Sequence, residues 1–212
     1  MIVAIDGPAG AGKSSVARGL AARLGFHYLD TGAMYRALTW LAKNENVPLD
    51  KGARLGELAE QNPVDFDEHG RCFIGGTDVT AAIRRAEIDR LVPVVARHPE
   101  VRTIMRERQR ELAADGDVVI EGRDIGTVVA PQAEVKIYLV ANPEIRARRR
   151  QTERPDIGAD ALATDLRARD YKDRERLQPA PDAVQIDTTE LEVDDVVAQI
   201  ERLIHERSLA TQ

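Results

Sequence analysis

The sequence predicts an α/β fold in three layers around a central parallel sheet, and three features carry that expectation. Apolar runs of strand length recur along the 212 residues: "MIVAID" at the start, "FHYLD" ending at Asp30, "DVVIEG" ending at Gly122, "VKIYLVA" ending at Ala141 and "DAVQID" ending at Asp187. Most are continuous rather than alternating in polarity, which suits parallel strands covered on both faces. Helical patterns separate them, with apolar residues at Val16, Ala17, Leu20 and Leu24 in one and at Val193, Val196, Val197, Ile200 and Ile204 in another. Such alternation implies right-handed crossovers around one core, which a chain of this length can bury.

The first strand ends at Asp6, which either orders the following loop or caps the strand. It then runs into Gly7-Pro8-Ala9-Gly10-Ala11-Gly12-Lys13-Ser14-Ser15, and G-x-x-x-x-G-K-[ST] is satisfied between a strand and a helix. Backbone N–H groups that wrap a phosphate closely need glycines, which accept positive φ and present no Cβ. The following helix adds its free N–H groups and the positive end of its dipole. Lys13 then reaches the β- and γ-phosphates of ATP, and the Ser14 hydroxyl is placed to ligate Mg²⁺. The expected fold is therefore of P-loop NTPase type, with Gly7 to Ser15 as the ATP-binding segment.

The second strand ends in "LDTGAMYR", Leu29 to Arg36. Ligands of open parallel sheets gather beyond the carboxyl ends of the strands, so Asp30, Thr31 and Arg36 are expected near the phosphate loop. Arg36 falls on a helix starting around Gly32, and its guanidinium fork suits an acceptor phosphate. Residues 63 to 80 break the alternation as a small hairpin turning near Glu68 to Gly70, followed by two helical stretches. "EGRDIGT" puts Arg123 and Asp124 at another strand end, an arginine beside a carboxylate. Asn142-Pro143-Glu144 reads as a helix start. A second break, 146 to 177, is Arg-rich, with "RPDIGAD" as an exposed turn. Within it Arg169, Asp173 and Arg176 are spaced by four and three, which puts them on one face of a helix.

Charge and composition exclude several function classes. A formal net charge of −6 argues against coating nucleic acid, and 4% aromatic residues leave few rings for stacking single-stranded bases. The charge is uneven: residues 146 to 176 hold nine Arg and one Lys against seven acidic residues, about +3, while the rest carries about −9. Cys72 is the lone cysteine, no Cys/His spacing of zinc type occurs, and no apolar stretch approaches membrane-span length, so a cytoplasmic protein is expected. No long exposed apolar stripe is evident, and a monomer is expected.

A P-loop alone leaves the fate of the γ-phosphate open. The guanine-reading N-K-x-D of a GTPase is missing, and "DVVIEGRD" offers only Glu121 where a motor ATPase would place an aspartate. Three arginine-bearing elements around one P-loop favour a small-molecule kinase. Phosphoryl transfer asks for positioning and positive charge around the moving group, with closure that expels water.

These motifs together resemble the bacterial cytidylate kinases of the P-loop nucleoside monophosphate kinase group. The resemblance runs end to end, through "IDGPAGAGKSSVA", "YLDTGAMYRA", "HPEVR", "EGRDIGTVV", "VKIYLVA", "RDYKDRER" at Arg169 to Arg176 and "PDAVQIDTT". It implies transfer of a phosphoryl group from ATP·Mg²⁺ to CMP or dCMP. It also implies that Thr31, Arg102 and Asp124 contact the cytosine, that Arg36, Arg123 and Arg176 hold the acceptor phosphate, and that Arg169 and Asp173 hold the sugar. With Lys13, the three phosphate arginines form the expected catalytic set. One kinase domain is implied, with a core of 1–62, 98–145 and 178–212, a monophosphate-binding insert at about 63–97 and an Arg-rich lid at about 146–177.

Pro93 departs from the family, which often has a sugar-contacting serine there. Proline has no hydroxyl and no N–H, so the choice between CMP and dCMP stays open. On the residues alone, Asp124 accepts from the cytosine amino group and Arg102 donates to O2 or N3, whereas uracil presents an acceptor to the carboxylate. The alternatives are another small P-loop kinase, acting on AMP, shikimate or dephospho-coenzyme A, and an ATP-gated binding module.

Overall fold

The computed structural model describes residues 1–114, 116–153, 155 and 157–210. In chain order the elements are β1 (Ile2–Asp6), α1 (Lys13–Leu24), β2 (His27–Asp30), α2 (Thr31–Asn44), α3 (Gly52–Gln61), β3 (Val64–Phe66), β4 (Cys72–Ile74), β5 (Thr77–Asp78), α4 (Ala86–Val95), α5 (Pro99–Ala113), β6 (Val118–Gly122), β7 (Val135–Val140), α6 (Pro143–Glu153), α7 (Ala159–Asp173), β8 (Val184–Asp187) and α8 (Val193–Ala210). A 3₁₀ turn covers Ala82–Arg84 and a short π-helical segment Ile125–Val129. Two compact units result, Met1–Leu29 with Gly116–Gln212, and Asp30–Asp115.

The first unit is built on a five-stranded sheet in the order β2-β6-β1-β7-β8. All five apolar runs are strands. The central strand β1 pairs in parallel with β6 and β7, with Ala4 opposite Ile120 and Lys136, and β7 pairs in parallel with β8. Val3, Ile5, Val119, Val135, Ile137, Leu139 and Ile186 of the sheet pack with Val16, Ala17 and Leu20 of α1 and Val196, Val197, Ile200 and Ile204 of α8. Val193 departs from the expected apolar stripe: it is the first residue of α8 and exposed, so the buried face begins at Val196.

Asn142 starts α6 as its sequence suggests, accepting the Glu144 N–H at 2.9 Å. Helix α7 ends at Asp173, which corrects the expectation of one helical face for Arg169, Asp173 and Arg176. Arg176 lies in the turn beyond, where its N–H donates to the Asp173 carbonyl at 2.7 Å. Arg154 and Asp156 of "RPDIGAD" lie outside the described residues.

In the second unit Asp30 caps α2 and α3 packs with α5. The expected hairpin is present, with Val64 opposite Ile74, but it is part of a three-stranded antiparallel sheet in the order β3-β4-β5. The third strand is two residues long, too short for any periodicity to announce it. The expected insert, 63–97, lies inside this unit, and Pro93 sits within α4. Among the described residues no helix is long and apolar enough to cross a membrane.

Candidate active site

The phosphate loop lies between the buried end of β1 and α1. Gly7 has φ 146°, and a Cβ there would sit 2.2 Å from the Leu139 carbonyl oxygen, so no larger residue fits. Gly12, at φ 90°, is the N-cap of α1. Four carbonyls of the loop each accept from a side chain. Arg123 Nη1 donates to Gly7 at 2.8 Å, Lys13 Nζ to Pro8 at 2.9 Å, Arg146 Nη1 to Ala9 at 3.1 Å and Thr188 Oγ1 to Ala11 at 3.1 Å. Carbonyls without strand or helix partners need such donors, and a loop held this way reaches a phosphate with little rearrangement.

Below the loop, Glu121 at the end of β6 is buried and accepts the Ser14 hydroxyl at 3.0 Å. Its other oxygen accepts from the Tyr28 hydroxyl. Burial lowers the Lys13 ammonium from near 10.5 to about 7, with Arg123 and Arg169 pushing the same way and Glu121 and Asp6 opposing. Asp6 is also buried, and its oxygens accept the Ile125 and Gly126 N–H groups at 2.8 Å each. Burial raises its carboxyl from 3.8 to about 6, although those two hydrogen bonds pull it down. Asp6 therefore orders the segment after Asp124 by capping Ile125–Val129.

Arg123 also reaches Asp173, with Nε 3.3 Å from Oδ2, and the other oxygen of Asp173 accepts from Arg176. Gly7, Arg123, Asp173 and Arg176 thus form one linked chain, and Arg169 is close enough to act on Lys13. Asp124 is half-buried and acts electrostatically on Asp6. On α6, Arg146 joins the Ala9 carbonyl to Asp170 of α7 at 2.6 Å, and Arg149 donates to the hydroxyl and carbonyl of Thr188 at 2.9 and 2.6 Å. Beside the loop lies a cleft of about 620 Å³, lined among others by Gly12, Ser15, Arg149, Thr189 and Leu191. Its size suits the base and sugar of a nucleotide.

In the second unit Asp30 is buried and accepts from Arg36 Nη2 at 2.7 Å, Arg84 Nη2 at 3.3 Å and the Ala33 N–H at 2.8 Å. Although burial raises its carboxyl, Arg36 and Arg84 outweigh that and hold it below the usual range. Thr31, buried, opens α2, and Arg102 is half-buried on α5.

Arg146, Arg149, Thr188 and Glu121 were not among the expected site residues. For the arginines the only signal was the charge run, which looks the same whether solvated or folded onto a loop. For Glu121 it was the strand-end position itself.

The profile of the family described as Cytidylate kinase matches residues 3–206. The chain is 46% identical to the cytidylate kinase of Geobacillus sp. (strain WCH70), over 97% of this chain and 96% of that protein. It is 43% identical to the cytidylate kinase of Bacillus subtilis (strain 168), over 97% of each. A bifunctional pantoate ligase/cytidylate kinase of Synechococcus sp. (strain JA-3-3Ab) is 46% identical over 98% of this chain, which spans only 42% of that protein. Among solved structures, a shikimate kinase from Bacteroides thetaiotaomicron matches with TM-score 0.53 at 16% identity, covering 97% of this chain and 98% of that one. A gluconokinase from Sinorhizobium meliloti 1021 matches with TM-score 0.52 at 15% identity, covering 99% and 97%. These two show the fold alone.

Proposed function

Because the chain belongs to the cytidylate kinase family, we propose a division of labour among its residues for moving a phosphoryl group from ATP to CMP or dCMP. The chain is a nucleoside monophosphate kinase. Gly7 to Ser15 bind the ATP phosphates, with Lys13 on the β- and γ-oxygens, and the cleft beside Arg149 and Thr188 takes the nucleoside. The observation that carries this assignment is the phosphate loop held by four side-chain donors, with Lys13 turned into it.

Ser14 and Glu121 supply a hydroxyl and a carboxylate 3.0 Å apart, hard oxygen donors that suit Mg²⁺, an ion that keeps waters and phosphate oxygens as its other ligands. When bound there, Mg²⁺ would supply positive charge against the negative charge that develops on the phosphates during transfer. Ser14 would hold the ion directly, while Glu121, supported by Tyr28, fixes the Ser14 hydroxyl.

Arg36, Arg123 and Arg176 take the acceptor phosphate. Arg123 and Arg176 share Asp173 as counter-ion, which keeps two like charges close together before an anion arrives. Thr31, Arg102 and Asp124 read the cytosine, and Arg169 and Asp173 hold the sugar, a task to which Pro93 contributes no hydrogen bond. A reducing, cytoplasmic compartment fits the lone buried Cys72, and a monomer fits a sequence in which no long exposed apolar stripe is evident.

The test is ADP release with ATP and Mg²⁺ against CMP, dCMP, UMP and AMP, with Lys13→Ala as control. CMP- or dCMP-dependent turnover that vanishes in the control is expected, and preference for AMP would overturn the base assignment. In Asp124→Ala, preference for CMP over UMP should largely disappear. Unchanged selectivity there would exclude Asp124 as the base reader.

A further inference from the structure

Two guanidinium groups of the second unit converge on a single oxygen. Arg36 Nη2 and Arg84 Nη2 lie 2.7 and 3.3 Å from Asp30 Oδ2, while Oδ1 is taken by the Ala33 N–H at 2.8 Å. The three side chains differ in their access to water: Asp30 is 7% exposed, Arg36 15% and Arg84 55%. Arg84 is held at this place by its neighbour Ile83, fully buried in the 3₁₀ turn. An exposed arginine would ordinarily pair with an exposed acid, yet this one reaches a buried carboxylate 54 residues back.

The cluster carries two positive charges against one negative, an excess that favours an incoming anion. If Arg36 turns toward an acceptor phosphate, it gives up some or all of its bond to Asp30. A buried carboxylate left without a cation is strongly unfavourable. Arg84 already faces the same oxygen, and more than half of its side chain is exposed. A Cβ at Gly32 would lie 3.1 Å from Arg36 Nη1 and 3.2 Å from Asp30 Oδ1, so the absence of a side chain there leaves the Arg36 head room to turn.

We propose that Arg84 is a positioning residue for the acceptor phosphate, holding the charge of Asp30 so that Arg36 can turn from that carboxylate to the phosphate of CMP. This rests on the assignment of Arg36 to the acceptor phosphate. Arg84 touches no substrate in this scheme. It lowers the cost of the turn that Arg36 makes, so its loss acts on CMP binding.

Steady-state kinetics with CMP varied at saturating ATP test the idea. Arg84→Met should raise KM for CMP about tenfold, with kcat and the KM for ATP changed by less than about twofold, and Arg84→Lys should recover most of the loss. An unchanged CMP KM in Arg84→Met overturns the proposal. Arg36→Met, measured alongside, separates the two layers. If it too leaves the CMP KM unchanged, the assignment of Arg36 falls and takes this inference with it. If it raises that KM while Arg84→Met does not, only the inference falls. Asp30→Ser keeps a capping oxygen for α2, and in that background Arg84→Met should add nothing. A further tenfold loss there would show that Arg84 acts independently of Asp30 and would overturn the proposal. Should Asp30→Ser fail to fold, the Arg84 pair decides alone.

Discussion

Lys13 donates to the carbonyl of Pro8, five residues back in its own loop, across 2.9 Å. The ammonium is therefore turned into the cradle before any phosphate is present, and burial with Arg123 and Arg169 nearby brings it down to about 7. At pH 8 most of the ligand-free protein would then hold a neutral Lys13. A triphosphate beside it favours the charged form, so binding of ATP should take up close to one proton at pH 8 and very little at pH 6. Calorimetry in buffers of different ionisation enthalpy reads this directly. The uptake should vanish in Lys13→Met, and equal uptake in that variant would assign the proton elsewhere.

The same depressed value has a consequence for stability. The folded value lies below the unfolded one near 10.5, so the folded chain binds fewer protons between about pH 7 and 10.5, and this group favours folding increasingly as pH rises through that window.

Glu121 gives a second expectation. It accepts the Ser14 hydroxyl at 3.0 Å and also the Tyr28 hydroxyl, so it fixes the group assigned to Mg²⁺. Glu121→Gln keeps the shape and one acceptor oxygen and removes the charge. We expect kcat to fall on the order of ten- to a hundredfold and the Mg²⁺ concentration for half-maximal rate to rise, with the CMP KM little changed. A Mg²⁺ titration of the rate checks it, and an unaltered midpoint would remove Glu121 from the metal's surroundings.

Such residues also mark where sequence reading stops. β1, β2, β6, β7 and β8 were legible because parallel strands covered on both faces read as continuous apolar runs. The phosphate loop was legible because its glycines and lysine have fixed spacing for a physical reason. The tie from Arg146 to the Ala9 carbonyl spans 137 residues, and nothing local in "RARRR" distinguishes Arg146, buried, from Arg148, exposed. Arg176 illustrates the opposite error. Its spacing suggested a shared helical face, but α7 ends at Asp173 and the turn beyond it, not helical periodicity, brings the two side chains together. Asp6 was legible as a strand end, while its partners, Ile125 and Gly126, could only be known once β1 and β6 were paired.

Asp6 makes a pH prediction of the opposite sign from the usual carboxylate. Its folded value, about 6, lies above the ordinary 3.8, because burial outweighs the two N–H groups it accepts. Between those values the folded chain holds a proton that the unfolded chain has released. Stability from this group is therefore full below about pH 4 and is lost as pH rises through 6, by an amount on the order of 2–3 kcal/mol. Asp6→Asn cannot titrate. Denaturant unfolding of both proteins at pH 4.5 and pH 7.5 should show the wild type losing ground relative to Asp6→Asn at the higher pH. A difference that stays constant or widens in favour of the wild type would contradict the raised value.

Arg146 and Asp170 supply the last prediction, because their pair ties the phosphate loop to α6 and α7. Arg146 is buried, bonds Asp170 at 2.6 Å and Ala9 at 3.1 Å, and sits beside the small apolar contact of Ala9, Ala147 and Leu166. Among the described residues neither Arg146 Nε nor Asp170 Oδ1 has a hydrogen-bond partner, so the pair depends on the one strong contact between Arg146 Nη1 and Asp170 Oδ2. Arg146→Met leaves a shielded carboxylate and an unpaired loop carbonyl, and should cost about 2–4 kcal/mol in unfolding free energy and raise the KM for ATP. Asp170→Leu alone should cost a similar amount by stranding the guanidinium. The double variant removes both charges and restores apolar packing, so its loss should be well below the sum of the singles. Even then the ATP KM should stay raised, because the Ala9 carbonyl still lacks its donor. Additive stability losses would show that the ion pair is not what joins the two helices, and an ATP KM restored in the double variant would show that the Ala9 bond does not position the loop.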